Sequence, residues 1–320
     1  MFRVLSACVI ALATCLPASA SADTTPSLRY ASSQSGVDMW TSSPKITSDT
    51  SFPIASVGKT MTAVAVLRLV AGGDLSLEDK TVDWVSPNIS DGLPDLDNIT
   101  IRHLLTMSSG LPDYYTWDYV EDALDDPGGT QLPEAALGYV FDEPLLFPPG
   151  TAFDYSNTNY VLLGLILEAA SAQSYGSVME TEVFAPARMT DSFVFGTRPL
   201  PANFAHSPDH DANVARYYSA QGFGDGGVIS TAADLARFYT ALFLDRTLLP
   251  ADLLRIMTTD DLNEGYGMGI EVEDGILGHS GADLGFSSDV RLHHASATIA
   301  IELIAAEDAG MGWTFDRMPD

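Results

Sequence analysis

A hydroxyl and an amine set three residues apart at the start of an apolar helix constrain this chain more than any other feature. Phe52-Pro53-Ile54-Ala55 is a short apolar run and Ser56-Val57-Gly58-Lys59 follows it. Residues 60–70 carry a single charge, Arg68, before Gly72-Gly73 ends the run. A helix apolar nearly all round belongs inside a large domain. Ser56 reads as its first residue or its N-cap. Three residues on is close to one turn, so Lys59 stands over the same face. Free backbone N–H groups and the helix dipole favour negative charge there. Such a place suits an alkoxide and an oxyanion. Burying the amine favours its neutral form, which a general base needs. Alone, Ser-x-x-Lys recurs by accident, with the serine only a cap and the lysine only a snorkelling side chain.

Composition narrows what the rest can be. The chain has 320 residues, 46% of them hydrophobic, enough for a proper core in one large or two smaller domains. Its formal net charge of −28 makes nucleic acid and anionic membrane surfaces poor partners. Lys45, Lys59 and Lys80 are the only lysines. Residues 1–22 read as a secretory signal peptide, with Arg3, an apolar stretch over 4–16 and a small-residue cleavage site ending at Ala20 or Ala22. That stretch is short for a membrane span, so a periplasmic or secreted protein is expected. Lipidation at Cys15 is the alternative, with Thr14 unfavourable for it. Both cysteines, Cys8 and Cys15, lie in this segment, which leaves the mature chain no disulfide and no thiol nucleophile.

Periodicity and turn signals predict strands at 28–30, 37–40 and 52–54, and helices over 56–70, 99–106, 131–141, 161–170 and 177–187. Thr100 caps the second of these helices and Ser230-Thr231 a further one over 232–244. Strands return at 266–272, 275–279, 286–293 and 297–305. The order predicts an α/β (α+β) fold, an antiparallel sheet flanked by helices. Residues 23–76 and 209–320 would form the sheet domain, with an all-helical insert over 77–208. Ser56 then lies near the seam, where pockets form.

Two further motifs carry chemistry. Tyr155-Ser156-Asn157 sits in a loop before the apolar helix at 161–170. A phenol there could relay a proton and an amide could hold a substrate carbonyl. His279-Ser280-Gly281 follows a strand, and Gly281 would let a substrate backbone lie along a sheet edge. The N–H of Ala282 could join that of Ser56 in an oxyanion hole. Taken singly, Tyr155 is an ordinary half-buried tyrosine and His279 a strand-end histidine.

Together, Ser-x-x-Lys, Tyr-x-Asn about 100 residues later and His-x-Gly about 120 beyond that resemble the serine β-lactamase and D-Ala-D-Ala carboxypeptidase superfamily, most of all its class C β-lactamase-related branch. Leu104-Leu105-Thr106-Met107-Ser108-Ser109-Gly110-Leu111, Gly226-Gly227-Val228-Ile229-Ser230-Thr231 and Tyr266-Gly267-Met268-Gly269 look like its landmarks. The resemblance covers roughly residues 52–305. It implies a β-lactamase/transpeptidase-like fold and an exported serine hydrolase. Ser56 would be the nucleophile, activated by Lys59. Tyr155 would serve the leaving group, Asn157 the acyl amide and His279 the proton network, with the amides of Ser56 and Ala282 as oxyanion hole. The substrate would be a small molecule or peptide bearing an amide, ester or β-lactam; a silent binding protein on the same fold is the rival. No metal and no cofactor are implied, and His206, Asp209 and His210 read as a solvated turn.

Departures from the pattern bear on substrate. Glu271 stands where the carboxypeptidases have a carboxylate-binding arginine, and Ala282 where they have a hydroxyl. An acid there repels a carboxylate and could attract a free α-amine, as a D-aminopeptidase or D-amino-acid amidase would want. His279 leans away from the branch's esterases without excluding them. Met107 stands where relatives often have histidine and reads as structural. Little precedes Leu28 and little follows residue 310, so one sheet face should be thinly covered. That predicts a partner subunit such as a homodimer, a truncated gene model or low stability.

Overall fold

A computed structural model describes residues 25–126, 132–207, 216–218, 220, 222–307 and 312–318. The signal-peptide segment, Gln131, Asp209 and His210 lie outside the described residues. Strands β1 (Ser27–Ser33) and β2 (Gly36–Thr41) form a hairpin, and β3 (Phe52–Pro53) leads to the helix α1 (Gly58–Gly72). Among the described residues the next α-helices are α2 (Pro87–Gly92), α3 (Ile101–Leu105), α4 (Trp117–Asp125), α5 (Pro133–Leu137) and α6 (Thr158–Ser171). Then come α7 (Tyr175–Met179), β4 (Phe193–Val194), β5 (Val228–Ser230), α8 (Ala232–Tyr239) and α9 (Ala251–Met257). β6 (Glu271–Glu273), β7 (Ile276–Asp283), β8 (Phe286–His293) and β9 (Thr298–Ile304) complete the sheet, in the order β2-β1-β9-β8-β7-β6. Every neighbouring pair in it is antiparallel.

Local chemistry accounts for the elements that place Ser56. Val57, Met61, Val64 and Leu67 of the first helical run are fully buried. α1 packs on α6, the other strongly apolar helix. The run Ala55–Gly72 is long and apolar enough to cross a membrane, yet 72% of it is buried inside the fold, as expected of a core helix. Thr100 caps α3 by accepting from the His103 N–H, and His103 Nδ1 accepts from the Thr100 N–H in return. Thr231 caps α8 by accepting from the Asp234 N–H.

The structure changes several sequence readings. A second, three-stranded sheet runs in the order β3-β5-β4; the strand expected over 52–54 is β3, whereas β4 and β5 escape periodicity because they are only two and three residues long. β4 falls within the stretch expected to be all-helical. β7 runs four residues past His279, and the strand expected over 266–272 is ordered as one only from Glu271.

The sheet face turned away from α1 is occupied by paired charges instead of bare apolar surface. Arg29, Glu302 and Asp289 stand in register across β1, β9 and β8. Arg29 Nε pairs with Glu302 at 2.7 Å, and Arg291 pairs with Asp289 at 2.8 Å and with Glu271 at 2.5 Å. Gly278, between Glu271 and Arg291 in register, leaves room for the arginine to cross. Residues 312–318 close over this row. Thr314 donates to Asp289, Phe315 lies 4.6 Å from the Arg291 guanidinium, and Trp313 lies 5.7 Å from that of Arg29. The expectation of a thinly covered face is therefore corrected for the middle of the sheet, while edge strand β2 keeps Val37 64% and Trp40 54% exposed.

Removing one member of a buried charge row strands the others. Arg291→Met should lower the urea-unfolding free energy by about 3–5 kcal/mol. Arg29→Met, at the exposed end of the row, should cost less than half as much.

Candidate active site

Ser56 lies within a 3₁₀ turn, Ala55–Val57, one step before α1. Its hydroxyl caps nothing, which corrects the N-cap reading, and faces Lys59 instead. The turn is held in a costly shape. Ala55 has φ 44°, a left-handed conformation that a non-glycine residue avoids unless its surroundings impose it. Two glycines permit the packing that imposes it. A Cβ on Gly226 would meet the Ala55 carbonyl carbon at 3.2 Å. A Cβ on Gly281 would meet Ser56 N and the Ile54 carbonyl oxygen at 2.8 Å each. β7 thus lies directly against the backbone of Ser56. Ser288 on β8 adds a hydrogen bond to the Ile54 carbonyl at 2.7 Å. Ala282 follows Gly281 and is exposed at this junction.

Lys59 is fully buried. Its Nζ lies 2.9 Å from Ser56 Oγ, 2.7 Å from Asn157 Oδ1 and 2.5 Å from the Asp225 carbonyl oxygen. Burial lowers its pKa to about 8, with Asp225, Asp113 and Asp283 pulling the other way. Tyr155 stands beside Ser56, whose side chain acts to lower the phenol's pKa, and Lys59 Nζ lies 5.1 Å from the centre of the Tyr155 ring. Burial raises Tyr155 well above the ordinary tyrosine range, so the phenol keeps its proton. Of the two groups beside Ser56, the amine is the one that can be an unprotonated base near neutrality.

His279 is buried beneath this group. Its Nδ1 lies 2.6 Å from the Ser280 carbonyl oxygen and its Nε2 3.1 Å from Tyr266 Oη. A carbonyl only accepts, so Nδ1 carries the proton and Nε2 accepts from Tyr266. Burial takes its pKa down to about 4 against the pull of Glu271, so His279 is neutral at pH 7. It meets Tyr155 ring to ring at 6.3 Å and has no hydrogen bond to Ser56 or Lys59.

The reading of Glu271 as a free acid is corrected. Its Oε1 accepts from the N–H and hydroxyl of Ser280, and its Oε2 pairs with Arg291. Burial alone would raise its pKa, but Arg291, His279 and the Ser280 N–H bring it to about 2. Its charge is committed to the sheet. Asn157 is likewise busier than expected. Oδ1 accepts from Lys59, Nδ2 and the backbone N–H donate to Asp113, and one Nδ2 hydrogen remains for a ligand.

Sequence reading missed Asp113, Asp225 and Tyr266 as parts of this site. Asp113 stands right after the Ser-Ser-Gly-Leu-Pro landmark, a signal that could have found it. Asp225 lies in the glycine cluster and contributes through its backbone carbonyl, which no sequence pattern announces. His206 meets Phe204 edge to face with ring centres 5.6 Å apart, and no group of three metal-ligating side chains occurs among the described residues.

The sheet flanked by helices, with a serine and a buried lysine at the start of the core helix, has the penicillin-binding protein and β-lactamase fold. It aligns with a D-stereospecific amidohydrolase from Streptomyces sp. at a TM-score of 0.79 and 26% identity, covering 91% of this chain and 92% of that one. The family model described as Beta-lactamase matches residues 23–297, and the chain belongs to that family. Among curated relatives, penicillin-binding protein 4* of Bacillus subtilis (strain 168) is 32% identical over 264 residues, 74% of this chain and 56% of that protein. Esterase EstB of Burkholderia gladioli is 35% identical over 161 residues, 47% of this chain and 40% of the esterase. The chain thus spans about half the length of these two curated relatives.

Two outcomes are expected from this geometry. Gly281→Ala should reduce acylation of Ser56 by at least tenfold while the chain stays folded by circular dichroism, because a Cβ pushes β7 off Ser56 N. His279 makes stability pH-dependent. An unfolded histidine protonates near 6.5, whereas the folded one resists to about 4, so its contribution is present above pH 6.5 and lost between there and pH 4. The shift corresponds to on the order of 3 kcal/mol. The drop in unfolding free energy between pH 7 and pH 4 should therefore be smaller in His279→Gln.

Proposed function

We propose that this chain is an exported serine hydrolase that acts through an acyl-Ser56 intermediate on small amides or esters. Its preferred substrates carry a neutral or cationic acyl group and no free carboxylate. The observation that carries the reading is the buried Lys59 amine, 2.9 Å from Ser56 Oγ with a pKa of about 8. About a tenth of such an amine is unprotonated at pH 7. The neutral amine takes the Ser56 proton as Oγ adds to the substrate carbonyl. The developing oxyanion turns to the N–H groups of Ser56 and Ala282. Collapse breaks the bond to the leaving group, which receives a proton through Tyr155. A water then adds to the acyl carbon, Lys59 takes its proton, and the acid is released with Ser56 restored. The free Nδ2 hydrogen of Asn157 is placed to hold the acyl amide.

Charge supports the substrate class. Asp113 and Asp283 are half-buried and Asp225 is buried, all three act on Lys59, and Lys59 is the one cationic side chain hydrogen-bonded to Ser56 or Asn157 among the described residues. Arg291, near enough to matter, is committed to Glu271 and Asp289. A carboxylate would enter this field at a cost and an ammonium would not. Similarity to the Streptomyces amidohydrolase points the same way. Export rests on the leader-like residues 1–22 and is checked by the N-terminus of the mature protein, which should follow Ala20 or Ala22.

Hydrolysis of p-nitrophenyl butyrate and D-Ala-p-nitroanilide should exceed that of a D-Ala-D-Ala peptide and nitrocefin, and kcat/KM should rise with pH through about 8 to a plateau. A fluorophosphonate should label the protein on Ser56, with labelling abolished in Ser56→Ala and reduced roughly 10²–10⁴-fold in Lys59→Ala. An unlabelled native protein, or fast D-Ala release from the peptide, would sink the respective half of the proposal.

A further inference from the structure

A neutral amine has two N–H donors and one lone pair, and what surrounds Lys59 decides where that lone pair points. The Asp225 carbonyl oxygen can only accept, so it takes one N–H. Asn157 can present either end of its amide, and the end it presents decides the rest. If Oδ1 faces Lys59, the second N–H is used and the lone pair is left for the Ser56 hydroxyl. If Nδ2 faces Lys59, it donates to the lone pair and the base is lost.

Asp113 makes that choice. Its Oδ1 accepts from the Asn157 backbone N–H at 3.0 Å and from the Tyr115 N–H at 3.1 Å, and its Oδ2 lies 3.0 Å from Asn157 Nδ2. A carboxylate cannot donate, so a turned amide would set two acceptors face to face. The loop that carries Asp113 is fastened to the start of α6. Ser156 and Thr158 donate to the Pro112 carbonyl at 3.1 and 2.6 Å, and the Tyr114 N–H donates to Thr158 at 3.0 Å. The carboxylate has little freedom to follow a turning amide.

We infer that Asp113 is a positioning residue that fixes the Asn157 amide and so aims the Lys59 lone pair at Ser56. The inference rests on the reading of Lys59 as the base. Its reach is chemical: Asp113 touches neither the substrate carbonyl nor Ser56, and it acts through Asn157.

The test is the acylation rate with a fluorophosphonate, which needs no knowledge of the natural substrate, measured from pH 6 to 10. Asp113→Asn should acylate about 10²-fold more slowly at pH 8, since misaimed groups cost about that much. Removing a negative charge beside Lys59 should also move the apparent pKa of its rate profile down. The exchange variant Asp113→Asn/Asn157→Asp restores an acceptor to Lys59 and a donor to residue 157. Its rate should return to within tenfold of the native protein above pH 9, with the apparent pKa moved up by the new neighbouring charge. A native-like rate and profile in Asp113→Asn would overturn the inference. So would a slow Asp113→Asn with an unmoved profile that the exchange does not rescue, the mark of a structural role alone. A native protein that the probe never labels overturns the hydrolase reading and this inference with it, whereas labelling of the native protein with a silent Asp113→Asn effect overturns only the inference. Melting temperatures within a few degrees of native certify that the variants are folded.

Discussion

A lysine ammonium taken out of water has to be satisfied by the protein or give up its proton, and the site is built on that choice. Three oxygens surround Lys59 Nζ: one hydroxyl, one side-chain amide and one backbone carbonyl. They suit the charged amine, which has three donors, and the neutral amine, which has two donors and a lone pair. Neither state leaves an orphaned polar group, so the proton can leave and return without rearrangement. Burial pushes the amine toward neutrality and three carboxylates restrain it, and the balance settles at about 8. With burial alone the amine would be a weaker base; with the acids alone it would stay protonated.

Everything around this amine serves to keep water out and oxygens in. Lys59 sits on α1, which packs on α6, and the glycine cluster supplies the Asp225 carbonyl to its amine. β7 can approach the Ser56 backbone because position 281 has no side chain. The strain at Ala55 belongs to the same junction. A relaxed turn there would move Ser56 away from Lys59, and the contacts from Gly226 and Ser288 resist that relaxation.

Much of this was legible in the sequence, for reasons that differ by element. The apolar run after Ser56 could only be a core helix, and a helix sets Lys59 beside Ser56. Alternation and turn signals located β1, β2, β8 and β9 to within a few residues. In the small sheet β4 and β5 were illegible because strands of two or three residues carry no period. The sharing of Asn157 between Lys59 and Asp113 was illegible too, because it depends on which end of an amide faces which neighbour. Glu271 shows the limit most clearly. An acid at that position reads as a free charge until the register of β6, β7 and β8 sets Arg291 across Gly278 from it.

That pairing changes how the acidity of the chain should be understood. Three acids of the sheet are matched by arginines: Glu271 and Asp289 by Arg291, Glu302 by Arg29. Those that act on Lys59 are held by neutral donors instead, Asp113 by Asn157, Asp225 by Tyr114 and Asp283 by Tyr115. A neutral donor satisfies a carboxylate's geometry without cancelling its charge. These three acids therefore still act on Lys59 although their hydrogen bonds are made. They keep Lys59 from losing its proton altogether, and under the proposed function they would also act on an arriving substrate before contact. On that proposed function, selection by charge and tuning of the base would come from the same three side chains, and a change that alters one would alter the other.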